Sequence, residues 1–174
     1  MDRQHYFGLV VALSGLLACN DGARGTASSL AIDSVGVGQA RETMVRALLA
    51  GDSTAFAGYY TDSAVFVAAG MPNVVGRSAI QSVVGQIMAS TQYRHYELHP
   101  MRVSGQSGSL NEVGWQYDVT ADHGKPPQQS WQRYGIAWRR AADGKWQIDL
   151  DFLVADSSHA LPDSTARKGS PGSR

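Results

Sequence analysis

The sequence predicts an α+β domain in which two or three helices precede a curved antiparallel sheet. Three observations lead there. Helical apolar spacings occupy the first half of the central stretch, and four long alternating strand patterns occupy the second. Asp143-Gly144, between the last two patterns, is a strong hairpin turn. Helices that run first and strands that follow give a layered α+β arrangement.

The first helix is expected from about Asp33 to Ala50. Val37, Met44 and Leu48, with Val45 and Leu49, keep the spacing of one apolar face. Gly51 stops it, and Asp52 can cap a short second helix carrying Phe56, Tyr59 and Tyr60 and ending near Thr61-Asp62. A strand from Ala64 to Ala69, the turn Gly70-Met71-Pro72-Asn73 and a short strand at Val74-Val75 come next. A third helix opens with Ser78 as cap and Gln81 three residues later, a capping box. Its apolar stripe is Ile80, Val83, Val84, Ile87 and Met88. The long strands are expected at Tyr93–Val103, Leu110–Thr120, Trp131–Arg140 and Lys145–Val154. Alternation puts Val113, Trp115, Tyr117 and Val119 on one face of the second, and Trp146, Ile148, Leu150 and Phe152 on one face of the fourth.

The chain has 174 residues, 15 basic and 15 acidic side chains, and one cysteine. Neutrality without basic runs argues against nucleic-acid binding. A single cysteine excludes an internal disulfide and a thiolate zinc cluster. Phe7 to Ala18 is an apolar run behind Arg3, too short to span a bilayer and of the right length for a secretory signal. It ends in Leu16-Leu17-Ala18-Cys19, which resembles the bacterial lipobox. That resemblance implies a signal peptide over residues 1–18 and acylation of Cys19. Residues 19–31 then read as a lipid-anchored flexible tether, 32–155 as the folded domain and 156–174 as a disordered tail. The expected location is the bacterial cell envelope, outside the cytoplasm, on either the inner or the outer membrane.

Within the domain a set of motifs falls in a recognisable order. Ala50-Gly51-Asp52 links the first helices, and Tyr60-Thr61-Asp62-Ser63-Ala64-Val65 leads into the first strand. Gly76-Arg77-Ser78-Ala79-Ile80 opens the third helix, and Tyr134 to Arg140 precedes Asp143-Gly144-Lys145-Trp146-Gln147-Ile148. This order resembles the nuclear-transport-factor-2-like superfamily, and within it the SnoaL-like and ketosteroid-isomerase-like members. The resemblance implies a cone-shaped, mainly antiparallel sheet whose three helices close a pocket, and it makes a homodimer an open expectation. Steroid isomerisation needs a carboxylate base plus a tyrosine and a protonated aspartate. Those positions fall on Met44, near Ala68, and at Gly135 or Ile136, whose side chains transfer no proton.

Three residue groups remain as candidates. His95, Glu97 and His99 share a strand face and have metal-ligand chemistry, but three same-face ligands in a row span about 13 Å and strain a single metal. The alternative is a solvated face, and no metal or other cofactor is assigned. Asp149 and Asp151 face either a cross-strand pairing with Arg133 and Arg139 or, for Asp151, the pocket as acid, base or polar anchor. The pocket lining expected from spacing and resemblance is Met44, Phe56, Tyr59, Ala68, Met88, Trp115, Tyr117 and Tyr134. The leading expectation is a membrane-tethered domain that binds a small apolar or amphipathic molecule. The alternatives are an enzyme of unassigned chemistry (lyase, isomerase or hydrolase) using Asp151 or a pocket histidine, and a dimerising module with a filled pocket.

Overall fold

A computed structural model describes the backbone of residues 21–122 and 124–156, and the side chains from Leu30 onward within those ranges. Cys19, the expected signal segment and the stretch expected as a tail beyond Asp156 lie outside the described residues. The order is α1 (Asp21–Leu49), α2 (Ser53–Ala57), β1 (Tyr60–Ala68), β2 (Val74–Val75), α3 (Arg77–Ser90), β3 (Thr91–Gln106), β4 (Ser109–Asp122), β5 (Gln128–Arg140) and β6 (Trp146–Ala155). One six-stranded sheet runs β2-β1-β6-β5-β4-β3. Every pairing is antiparallel except β1 with β6, so the sheet is mixed. Among the described residues no helix is long and apolar enough to cross a membrane.

The helices depart from expectation at their ends. The first begins at Asp21, not near Asp33, so the stretch expected as tether is helical backbone from Asp21 onward. Gly25, Gly36 and Gly38 lower its propensity but do not break it, because its second half packs a buried face (Val37, Met44, Ala47, Leu48) on the sheet. Asp52 does cap α2, accepting from the Ala55 amide at 2.9 Å. That helix ends at Ala57, however, and Tyr60 belongs to β1. The α3 cap is Gly76 at φ 92°, with no side-chain cap. Gln81, expected in a capping box, instead donates to Thr54 Oγ1 of α2 at 2.9 Å.

Two strand faces also differ, for separate reasons. In β6 the register runs Trp138↔Ile148 and then Ala137↔Leu150, so Asp149 is an extra residue, a β-bulge. The bulge reverses the alternation. Trp146 and Ile148 are buried before it and Asp151 after it, while Leu150 and Phe152, expected beside Ile148, are turned out. In β4 the buried positions from Leu110 to Asp118 alternate as Leu110, Glu112, Gly114, Gln116 and Asp118. Val113, Trp115, Tyr117 and Val119 therefore form the outer face. The apolar residues of β4 look like a core face from spacing alone, but the concave side is closed by the helices and takes the polar set.

The core gathers Val37, Met44 and Leu48 of α1, Ile80 and Val84 of α3, and Tyr134, Ile136, Trp138, Trp146 and Ile148 of the sheet. At Gly114 of β4 the two neighbouring strands crowd the backbone. A Cβ there would meet the His99 carbonyl oxygen and stand 2.8 Å from the Tyr134 ring, so only glycine fits.

Candidate functional site

The helices and the concave face of the sheet enclose a cavity of about 120 Å³. It holds a small molecule or several waters, and is well below the size of a drug-sized site. Met44 and Leu48 form its α1 wall, Val84 and Ile87 its α3 wall, and Phe56 and Phe66 close one side. The strands supply the polar part: Tyr93 and Tyr96 of β3, Gln116 and Asp118 of β4, Gln132 and Tyr134 of β5, and Asp151 of β6.

Asp151 reaches the cavity because of the bulge. Asp149, the bulge residue two positions before it, stays on the outer face: its Oδ1 accepts from Arg139 Nη2 at 3.0 Å, as expected, and from Thr61 Oγ1 at 2.8 Å, while Arg133, the other expected partner, pairs with Asp156 at 2.7 Å. Asp151 is 6% exposed, and the Tyr60 hydroxyl donates to its Oδ2 at 2.6 Å. Its Oδ1 is buried and has no hydrogen-bond partner among the described residues. Burial pushes the Asp151 carboxyl up to about 6, with the Tyr60 hydrogen bond pulling the other way. The same burial, with the neighbouring Asp151 charge, holds the Tyr60 phenol well above its ordinary value. Asp118 is also raised by burial, against hydrogen bonds from Gln116 and Ser130 that lower it.

Glu112, fully buried, is satisfied on both oxygens. Arg41 Nη1 reaches Oε2 at 2.7 Å and the Tyr134 hydroxyl donates to Oε1 at 2.8 Å. This pairing ties α1 to the concave face and commits the Tyr134 proton to Glu112.

The expected lining residues separate into three groups. Met44, Phe56 and Tyr134 line the cavity together with Asp151. Tyr59 lines an open groove between α1 and the β5–β6 hairpin, while Ala68 and Met88 pack against the core without reaching the cavity. Trp115 and Tyr117 stand on the convex face. There Trp131 packs on both, at ring-centroid distances of 5.1 and 4.7 Å. His95, Glu97 and His99 are on this face too, each more than 40% exposed. The two imidazoles take different oxygens of Glu97, at 2.8 and 2.7 Å, and the His99 bond is the main reason the Glu97 carboxyl titrates low. His99 stacks on Trp115 at 3.7 Å. Among the described residues no group of three His, Cys, Asp or Glu could hold a metal ion. Tyr60, Tyr96, Gln116 and Asp118 escaped the sequence reading. Their signal was the polar alternation Glu112, Gln116, Asp118 running opposite the aromatic stripe.

A family profile for the SnoaL-like domain matches residues 42–147. The chain belongs to the SnoaL-like domain family. No curated protein matches the chain. Among solved structures it is similar to a ketosteroid isomerase-like protein from Erwinia carotovora atroseptica, at 16% identity and TM-score 0.64 over 71% of this chain and 95% of that one. It is also similar to ActVI-ORFA from Streptomyces coelicolor, at 19% identity and TM-score 0.61 over 71% and 96%. A third is an NTF2-like protein with a cystatin-like fold from Novosphingobium aromaticivorans, at 17% identity and TM-score 0.59 over 77% and 90%. At these identities the likeness establishes the cone fold of this SnoaL-like domain.

The raised Asp151 carboxyl has a measurable consequence. The folded chain holds this proton more tightly than the unfolded chain, so ionising Asp151 costs stability as pH rises from about 4 to about 6. Asp151→Asn cannot ionise. It is expected to stabilise the domain by up to about 3 kcal/mol at pH 7.5, with the gain gone below pH 4. Urea unfolding at both pH values measures this, and a variant less stable than its parent at pH 7.5 contradicts it.

Proposed function

We propose that the SnoaL-like domain takes up a small, neutral, largely apolar molecule bearing a carbonyl or hydroxyl group, and that Asp151 exchanges a proton with it. The observation that carries this reading is the buried Asp151 carboxyl at the cavity wall, whose Oδ1 lacks a partner among the described residues. A buried polar atom without a partner costs free energy, and a ligand donor or acceptor would relieve that cost. A carboxyl displaced to about 6 is poised to give or take a proton near neutral pH. Among the described residues no lysine, arginine or histidine lines the cavity, so nothing there would neutralise an anion. The set differs from the steroid-isomerase positions, which the resemblance puts at Met44, near Ala68, and at Gly135 or Ile136.

Cyclohexanone in deuterated buffer tests the reading. The protein is expected to speed exchange of the hydrogens beside the carbonyl, and Asp151→Asn to reduce that rate at least ~100-fold. Binding of cyclohexanone with no protein-dependent exchange would leave the plain binding function and remove the catalytic one.

The location of the chain is proposed from Cys19, whose acylation would place the domain outside the cytoplasm on a bacterial membrane. Several acyl chains at about 0.8 kcal/mol per buried methylene make a firm anchor. The chain is expected to incorporate labelled palmitate, and Cys19→Ala to release it into the soluble fraction. An unlabelled chain ends that proposal.

A second copy of the chain is proposed to cover the convex face. Val113, Leu150, Phe152, Val154 and Met101 are exposed there beside Trp115, Tyr117 and Trp131. A contiguous apolar patch of this kind marks an association surface. Sedimentation should give a dimer, and Phe152→Asp with Val154→Asp a folded monomer; a monomeric parent refutes it.

A further inference from the structure

We infer that the ligand of the cone is a molecule with two polar ends, and that Asp118 recognises the end that Asp151 does not. This rests on the cone being the ligand site, and it adds the chemical class of the ligand.

The inner face of β4 is the starting point. Glu112, Gln116 and Asp118 point into the domain while Val113, Trp115 and Tyr117 point out, the reverse of an ordinary half-buried strand. Burying polar groups costs free energy unless each is partnered. Glu112 is partnered by Arg41 and Tyr134. Asp118 is not matched in this way. It is 4% exposed, its bond from Gln116 Nε2 is a long 3.4 Å, and no cation pairs with it among the described residues. Ser130 provides its other hydrogen bond. The Tyr96 hydroxyl cannot help, since it donates to Gln116 Oε1 at 2.7 Å and thereby turns the Gln116 amide nitrogen toward Asp118. Asp118 therefore keeps acceptor capacity on the cavity side.

Position separates the two carboxyls. Asp118 pairs across the sheet with Ser130 of β5, and Asp151 pairs with Ile136 of the same strand. That is six residues along β5, about 20 Å on a straight strand and less across a curved sheet. One carbonyl cannot reach both. Between them the wall carries Leu98 and Leu153, with Tyr134 already committed to Glu112. The matching ligand has an apolar middle, a carbonyl or hydroxyl at the Asp151 end and a hydrogen-bond donor such as a hydroxyl at the Asp118 end. A carboxylate or phosphate at that second end would find no cation among the described lining residues.

Calorimetric titration with 4-hydroxybiphenyl and 4,4′-dihydroxybiphenyl tests this, since the probes differ only in the second hydroxyl. The full-length protein is expected to bind the dihydroxy probe about tenfold more tightly, the value of one added hydrogen bond. Asp118→Leu should abolish that advantage, and Asp118→Asn, which preserves shape and one acceptor, should cut it at least ~3-fold. If the leucine variant unfolds, the asparagine variant decides. Asp151→Asn should weaken both probes alike. Equal binding of the two probes by the parent, or an undiminished advantage in the folded Asp118 variants, overturns the two-ended ligand and leaves the Asp151 site standing. Failure of the parent to bind either probe removes the ligand site itself.

Discussion

The bulge at Asp149 is the constraint on which the site depends. In an unbroken strand, Asp149 and Asp151 would share a face, and both would be spent on surface ion pairs or both would be buried. The extra residue in β6 separates them. Asp149 stays at the surface, held by Thr61 and Arg139, and Asp151 turns into the cone against Tyr60. The partner strand shares the irregularity: β1 shifts register between Tyr60 and Val65, opposite the same part of β6. Tyr60 and Thr61, adjacent in β1, thereby serve the two aspartates on opposite sides of the sheet.

The cavity also requires that its walls not collapse onto these polar groups. The Arg41–Glu112–Tyr134 chain supplies that spacing. A fully buried carboxylate is tolerated only when its charge and lone pairs are satisfied, and Glu112 has both. Removing Arg41 would leave an uncompensated buried charge, a loss of about 3–5 kcal/mol in comparable pairs. The pair fixes α1 at a set height above the sheet. Met44 and Leu48, further along that helix, then roof the cavity without filling it.

Much of the fold was legible in the sequence because it rests on local signals. The Asp52 cap, the Asp143-Gly144 turn and the four long strands sit where spacing and turn chemistry place them. The cone site was legible only in part. Met44, Phe56 and Tyr134 follow from periodicity on elements whose inward face is apolar. Asp118 and Gln116 do not, because β4 turns its polar face in, and alternation identifies two faces without saying which is buried. A bulge is invisible to alternation altogether. It shifts the pattern by one residue, which is why Leu150 and Phe152 read as core from sequence and are exposed in the fold.

The length of α1 connects the site with the proposed anchor. The helix starts at Asp21, two positions after Cys19, and runs unbroken to Leu49. The same element would therefore lead from the membrane attachment and roof the cavity. Any pull from an anchored N-terminus would act along this helix. Before reaching Met44, it meets two attachments to the sheet. Asp33 accepts from the Gly108 amide at 2.9 Å and pairs with Arg140 at 3.4 Å, and Arg41 follows with its buried bond to Glu112. Both ties bridge distant parts of the chain and both involve an aspartate or glutamate at most 3% exposed, where solvent screening is weak. Tension along α1 would thus be carried by the sheet at Asp33 and Arg41. The roof residues beyond them would keep the spacing that leaves Asp151 room for a ligand.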